Sequence, residues 1–319
     1  MNVALVGSNF AVRGYLPAIK KLKKIKLKII CSRNILKNNF KSKDLKNVIF
    51  DKNWRNIFSK KIDLIILAVP PKVQSKILIH NFKYKKKIIF EKPISQNLNI
   101  SKNIVKNFKK KKIRSDINLT FLNHKLFLRL KNILKVKKLG DVINFKIVWS
   151  FKSYDSEKKI LSWKTMEEKG GGIKNIFLTH VFSYCEFLFG KNKIINYDFE
   201  TLNFKNIKYK NRIQCRLQNK SGAIGDISIF TKKKGNQYHN IKIKCRNGEI
   251  QLFTKSKDWT KDFILKIQKN KSKKKEIFKQ KNAGKFKDGR SIQIYNMIKN
   301  FIENKNISNI KYCLSAEKM

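Results

Sequence analysis

The stretch Ile88-Ile89-Phe90-Glu91-Lys92-Pro93 runs three apolar residues straight into a charged pair and a proline. Consecutive apolar residues without polar alternation fit a short strand buried on both faces, as in parallel sheets. Proline has no N–H to give a sheet ladder, so Pro93 ends the strand. Lys92 then stands at the carboxyl end of that strand, where open α/β sheets carry their chemistry. A lysine in a low-dielectric setting can exchange a proton near neutral pH. In a chain with 75 Lys and Arg residues, an ordinary surface lysine is the competing reading. The flanking sequence decides between them.

Outward from this point, the first 121 residues alternate two textures. Strand-like apolar runs fall at 3–6, 25–31, 48–50, 64–69, 88–90 and 118–121. Helix-length amphipathic segments fall at 15–22, 74–82 and 98–110, and Asn97 is placed to cap the last. This alternation predicts a parallel sheet with helices on both faces. All four prolines lie here: Pro70, Pro71 and Pro93 follow strand ends, and Pro17 sits in a first helical turn. Beyond residue 121 the pattern changes. A helix is expected at 126–136 and a strand at 142–149. A long loop through Ser156 and Trp163 then leads to the triplet Gly170-Gly171-Gly172, and a helix at 173–189 is stopped by Gly190. Alternating runs at 212–217, 223–230, 238–245, 249–253 and 263–267 predict a large antiparallel sheet, with a hairpin at Asn247-Gly248. Residues 269–287 read as a charged loop and 291–302 as a last amphipathic helix. The expectation is an α/β domain over 1–121, an α+β domain built on an open, mostly antiparallel sheet over 122–290, and a helical segment over 291–319 that packs back on them.

The chain has 319 residues, enough for two proper cores. No apolar run approaches the ~18 residues that span a bilayer. Met1 leads directly into the first strand, which leaves no room for a signal peptide, so a cytoplasmic protein is expected. The net charge of +54 invites a nucleic-acid reading. The lysines are dispersed, however, in clusters at 20–21, 23–24, 85–87, 109–112, 232–234 and 273–275, and no nucleic-acid motif accompanies them. A joint excess of Lys, Asn, Ile and Phe follows an AT-rich coding sequence; a polyanion-binding basic protein is the alternative, and no specific nucleic-acid partner is expected. The positive field would still attract phosphorylated or nucleotide-linked substrates. Five cysteines are scattered without a CxxC pair, so no metal site or redox dithiol is signalled.

Three constellations carry chemistry. The first βα turn reads Gly7-Ser8-Asn9-Phe10-Ala11-Val12. A dinucleotide fingerprint wants glycine at the first, third and sixth places, and only Gly7 is present. The position still suits phosphate: strand, tight turn, then a helix start with N–H groups to offer. The second strand ends at Ser32-Arg33, with no acid to bind a ribose 2′-hydroxyl. These two residues suit a 2′-phosphate, which favours NADP over NAD; an ordinary basic loop is the alternative. The third constellation is Ser162-Trp163-Lys164, the glycine triplet and His180. Glycines there let another backbone or a ligand come close. A single helical histidine is more often a core residue than a catalyst, and the glycine triplet ahead of it points the other way.

Gly7 with Pro17-Ala18, Val69-Pro70-Pro71, Glu91-Lys92-Pro93, Leu139-Gly140-Asp141, and Ser162-Trp163-Lys164 with Gly170-Gly171-Gly172 and His180 resemble, in order, the glucose–fructose oxidoreductase/inositol dehydrogenase (Gfo/Idh/MocA) family. The resemblance implies a Rossmann domain binding NAD or NADP, and an open-sheet domain carrying substrate and oligomer contacts, in a dimer or tetramer. It implies hydride transfer between nicotinamide and a sugar-like or cyclitol-like carbon. Lys92 would be the catalytic lysine and His180 the histidine that hydrogen-bonds the reacting oxygen or relays its proton. Gly7, Ser8, Asn9, Phe10, Ala11, Ser32, Arg33, Ala68, Val69, Pro70, Pro71, Gln74, Glu91 and Lys92 would line the cofactor. Asn123, Trp163, Lys164, Asn175, Ile176 and Thr179 are candidate substrate contacts; Asn123, with His124 and Lys125, equally suits a plain helix start. Many members carry Asp four residues before the histidine. Here that place is Ile176, and Asn175 is one position off, about 100° away on a regular helix. A non-catalytic dinucleotide-binding or scaffold protein of the same fold is therefore the rival reading.

Overall fold

A computed structural model describes residues 1–319 except 34–44, 60, 153–161, 205–206, 232–236, 281–285 and 306–308. The chain divides into two compact units, Met1–Leu119 with Phe286–Leu314, and Thr120–Lys285 with Ser315–Met319.

The first unit is built on a six-stranded parallel sheet: β1 (Asn2–Val6), β2 (Lys26–Cys31), β3 (Ile49–Asp51), β4 (Leu64–Leu67), β5 (Lys87–Glu91) and β6 (Ser115–Asn118), in the spatial order β3-β2-β1-β4-β5-β6. Val3, Ala4, Leu5 and all four residues of β4 are fully buried, as a central parallel strand covered on both faces requires. Between the strands run α1 (Leu16–Lys20), α2 (Asn56–Ser59), α3 (Pro71–Tyr84) and α4 (Leu98–Lys110). Asn97 caps α4 as expected, its side chain accepting from the N–H groups of Asn99 and Ile100. The helix expected at 15–22 is divided instead: a wide π turn, Ala11–Tyr15, precedes the short α1. The strand expected at 118–121 begins three residues earlier. Its segment Ser-Asp-Ile-Asn looks too polar for a buried strand, but Asp116 is fully buried and accepts from the N–H of Asn309 at 2.8 Å. Residues Thr120–Asn123 form a 3₁₀ turn. The late helix α7 (Arg290–Ile302) packs here too: Ile294, Met297, Ile298 and Phe301 join Val3, Leu5, Ala11, Tyr15 and Ile19 in one core cluster.

The second unit holds an eight-stranded sheet: β7 (Val142–Phe151), β8 (Asn192–Phe204), β9 (Ile207–Asn219), β10 (Ile224–Thr231), β11 (Tyr238–Cys245), β12 (Gly248–Thr254), β13 (Ile264–Lys269) and β14 (Lys275–Lys279), in the order β14-β13-β12-β11-β7-β10-β9-β8. All neighbours are antiparallel except β7 and β10. Three features depart from the sequence reading. Strand β8 was not signalled. Residues 275–279, read as loop, form the edge strand β14 paired to β13, with the guanidinium of Arg129 over the Phe278 ring. The hairpin turn falls on Arg246-Asn247, because Gly248 already pairs with Cys245. The loop expected through Ser156 lies outside the described residues. The α5 helix (Lys125–Lys135) and the α6 helix (Thr179–Phe189) supply the apolar cover: Phe189 stacks on Phe145 at 4.0 Å, and Phe127 and Tyr184 meet at 5.4 Å. A last helix, α8 (Ile310–Lys318), closes the chain. All five cysteines are buried, and no group of metal-ligating side chains occurs among the described residues.

Candidate active site

In the first unit the sequence-marked residues gather along the carboxyl ends of β1, β2, β4 and β5, around the β1–β4 boundary where the strand order reverses. Doubly wound sheets open a ligand crevice at this point. Gly7 follows β1 with φ +130, and a Cβ there would lie 2.3 Å from the carbonyl oxygen of Ala68. Only glycine fits this place. Asn9 is exposed, and Ser8, Ala68 and Val69 are half-buried. Phe10 folds back over Gly14, whose missing Cβ would strike its ring at 2.4 Å, and carries the guanidinium of Arg290 4.2 Å from its centroid. Ser32 is half-buried and Arg33 exposed at the end of β2. Exposed polar and backbone surface thus surrounds a glycine turn at the carboxyl ends of β1 and β2.

Lys92, half-buried, follows β5 through a turn that is held from three directions. The buried Tyr15 hydroxyl donates to the Glu91 carboxylate at 2.6 Å, and the Asn118 amide donates to the same oxygen at 2.8 Å. Burial pushes the Glu91 carboxyl up, opposed by these two bonds and by the charges of Lys92 and Arg290. Burial, with Glu91 beside it, holds the Tyr15 hydroxyl well above its usual range, so it stays a donor. The third hold is Gln74, 1% exposed, whose amide nitrogen lies 2.6, 2.9 and 3.1 Å from the carbonyls of Glu91, Pro93 and Ile94. Gln74 thus lies beneath the turn. Tyr15, Asn118 and Arg290 had no sequence signal, because each meets its partner only through the fold.

In the second unit, His180 lies in the first turn of α6, 5% exposed, edge-on to Phe121 at 5.6 Å and tilted against Trp259 at 6.2 Å. The expected continuous helix over 173–189 is interrupted: Lys174–Leu178 form a π turn, with the Thr179 N–H bonded to the Lys174 carbonyl. This changes the face argument. Across a wide turn with i→i+5 bonding, the 100°-per-residue spacing of a regular helix does not hold between Asn175 and His180. The Asn175 amide donates to the Gly171 carbonyl at 2.9 Å, and Ile176 is half-buried. The glycine triplet serves the chain's own packing. A Cβ on Gly171 would lie 2.0 Å from the Trp163 carbonyl, and one on Gly172 2.5 Å from Glu167. Trp163 and Lys164 form the 3₁₀ turn capped by Ser162 that these glycines admit. Thr179 is buried, with its hydroxyl 3.3 Å from the Lys174 carbonyl. Asn123 is buried, and the His124 ring accepts from the Leu126 N–H at 3.2 Å, which makes it the cap of α5.

The model of an oxidoreductase family with an NAD-binding Rossmann fold (GFO_IDH_MocA) matches residues 1–118, and that of the same family's C-terminal alpha/beta domain matches 131–312. The chain belongs to the Gfo/Idh/MocA oxidoreductase family. No curated protein matches the sequence. Among solved structures, a levoglucosan dehydrogenase in complex with NADH is similar at TM-score 0.80 and 16% identity, over 99% of this chain and 95% of that one. The WlbA dehydrogenase from Chromobacterium violaceum, in complex with NADH and UDP-GlcNAcA, is similar at 0.79 and 16%, over 99% and 90%. KijD10, a 3-ketoreductase from Actinomadura kijaniata bound to NADP and TDP-benzene, is similar at 0.78 and 12%, over 99% and 94%. At these identities the likeness shows a shared fold. Among the described residues of this Gfo/Idh/MocA member, no helix is long and apolar enough to cross a membrane.

Proposed function

We propose that this chain is an NAD(P)-dependent oxidoreductase that transfers a hydride between nicotinamide and a hydroxyl-bearing carbon of a sugar, sugar nucleotide or cyclitol. The observation that carries the reading is the Glu91-Lys92-Pro93 turn at the end of β5, one strand from the reversal in strand order and tied to α3, β6 and the first helical segment. The bound nicotinamide supplies a hydride acceptor or donor at its C4. Lys92 Nζ takes the substrate hydroxyl proton in oxidation and returns it in reduction. His180 hydrogen-bonds the reacting oxygen. Gly7 lets the first turn close against Ala68, and Ser8–Ala11 offer the helix start to the phosphates. Ser32 and Arg33 give a 2′-phosphate its partners, which favours NADP. Sugar and sugar-nucleotide ligands named for the structural neighbours support this substrate class. We place Asn175 on the substrate side, with the protein working in the cytoplasm as a homo-oligomer.

The expected outcome for Lys92→Met is loss of turnover with NADPH affinity within a few-fold of wild type. Near-normal turnover in that variant refutes Lys92 as proton carrier. The second reading is a non-catalytic dinucleotide-binding member, favoured by two residues: Asn9 in place of a fingerprint glycine and Ile176 in place of a polar partner for His180. Tight NADPH binding without turnover on any of a panel of sugars and nucleotide sugars selects it.

A further inference from the structure

We propose that Gln74 is a positioning residue for Lys92, acting through the main chain of residues 91–94. The inference rests on the reading of Lys92 as the proton carrier. Gln74 is 1% exposed on α3, yet its carboxamide is spent entirely on one short piece of backbone. Its nitrogen donates to the carbonyls of Glu91 at 2.6 Å, Pro93 at 2.9 Å and Ile94 at 3.1 Å. Its oxygen accepts from the Glu91 N–H at 3.0 Å. Two N–H groups are thus shared among three carbonyls, and both ends of the amide are used. These contacts bracket Lys92: one residue before it and two after it are held.

An apolar side chain of similar length would fill the same space beside Ile77 and Leu78, which are buried on the same helix. It would leave three carbonyls and one N–H of the turn without this partner, and buried polar groups do not stay unpaired. The turn would move to find water or other donors, and Lys92 would move with it. Proton transfer tolerates little of this: a shift of about 1 Å at a reacting group can cost roughly 10²-fold in rate. The Glu91 carboxylate, fixed by Tyr15 and Asn118, anchors the start of the same turn. Gln74 also holds the residues after Lys92, through the carbonyls of Pro93 and Ile94.

The test is competitive acetylation of full-length wild type, Gln74→Met and Gln74→Glu from pH 6 to pH 11, with peptide mass spectrometry reading Lys92 against exposed Lys102 on α4. In Gln74→Met the Lys92-to-Lys102 labelling ratio is expected to change by about threefold or more, with a shifted pH midpoint. Gln74→Glu faces carbonyl oxygens with a carboxylate when ionised and regains an O–H donor when protonated, so it is expected to show the shift in alkali and to recover toward wild type in acid. Should Gln74→Met fail to fold, Gln74→Glu decides. A lowered melting temperature with an unchanged Lys92 ratio means a merely structural role and overturns the inference. Fluorescence titration of wild type with NADPH and NADH runs alongside: absence of binding there defeats the oxidoreductase reading, and the labelling ratio is scored separately from it.

Discussion

At the scale of single residues, Gly7 and Tyr15 carry the sharpest expectations. Alanine at position 7 must hold a φ that L residues rarely adopt and place a Cβ 2.3 Å from a backbone oxygen. Such strain costs on the order of 1–3 kcal/mol before the end of β4 moves. Gly7→Ala is expected to lower the melting temperature by several degrees and weaken NADPH binding about tenfold, a loss of roughly 1.4 kcal/mol. Unchanged calorimetry and titration would contradict the tight turn. Tyr15→Phe removes the 2.6 Å bond to the Glu91 carboxylate. Hydrogen bonds to charged acceptors contribute about 1.5–3 kcal/mol, and urea unfolding should show that loss at pH 8. The sign in acid follows from Glu91. Burial raises its folded pKa, so ionisation already opposes folding there, and the Tyr15 bond offsets part of that cost. The deficit of the variant should therefore shrink as pH falls and Glu91 takes up a proton. A deficit that grows in acid would contradict the assignment.

At the scale of elements, the cap of α4 is the simplest case. The Asn97 side chain accepts from the N–H of Asn99 at 2.8 Å and of Ile100 at 3.4 Å. Asn97→Ala should cost about 1 kcal/mol, within the usual 0.5–2 for a lost cap, and chemical denaturation measures it directly. This cap was legible in the sequence, as were β1, β4, β5 and the hairpin of β11 and β12, because each declares itself within a few residues. The rest was hidden for definite reasons. Strand β6 is polar on paper, and Asp116 is tolerated inside because the distant Asn309 N–H reaches it. Strand β14 has a lysine at each end, Glu276 between them and Ile277 half-exposed, and charged edge strands of this kind resemble loops. The π turn at Lys174–Leu178 adds a residue to one circuit of helix, which no hydrophobic period signals, and with it the face relation of Asn175, Ile176 and His180 changes. Lys92 was visible from its strand; the Gln74, Tyr15 and Asn118 contacts around it were not, since they join segments far apart in the chain.

At the scale of the whole molecule, two buried histidines of the second unit make stability depend on pH. His239 stacks on Trp149 at 4.8 Å, with its Nε2 3.0 Å from the Tyr184 hydroxyl, and burial followed by the nearby His124 lowers it to about 3. Burial lowers His124 to about 4. Both rings are neutral in the fold. Above an unfolded pKa of about 6.5 they cost nothing; below it the unfolded chain binds protons that the folded chain refuses, so stability is lost as pH falls. Between pH 6.5 and pH 5 the pair should remove about 3 kcal/mol, since each ring approaches the limiting slope of roughly 1.4 kcal/mol per pH step only below its unfolded pKa. A melting temperature that stays flat from pH 7 to pH 4.5 would contradict this. The net charge of +54 adds self-repulsion that salt screens, so moderate salt should raise the melting temperature at fixed pH. The central claim is that the first unit holds a nicotinamide dinucleotide, and it is tested most directly by titrating the purified chain with NADPH and with NADH while following nicotinamide fluorescence. Saturable enhancement, tighter for NADPH, is the predicted result; a flat trace with both nucleotides would contradict it.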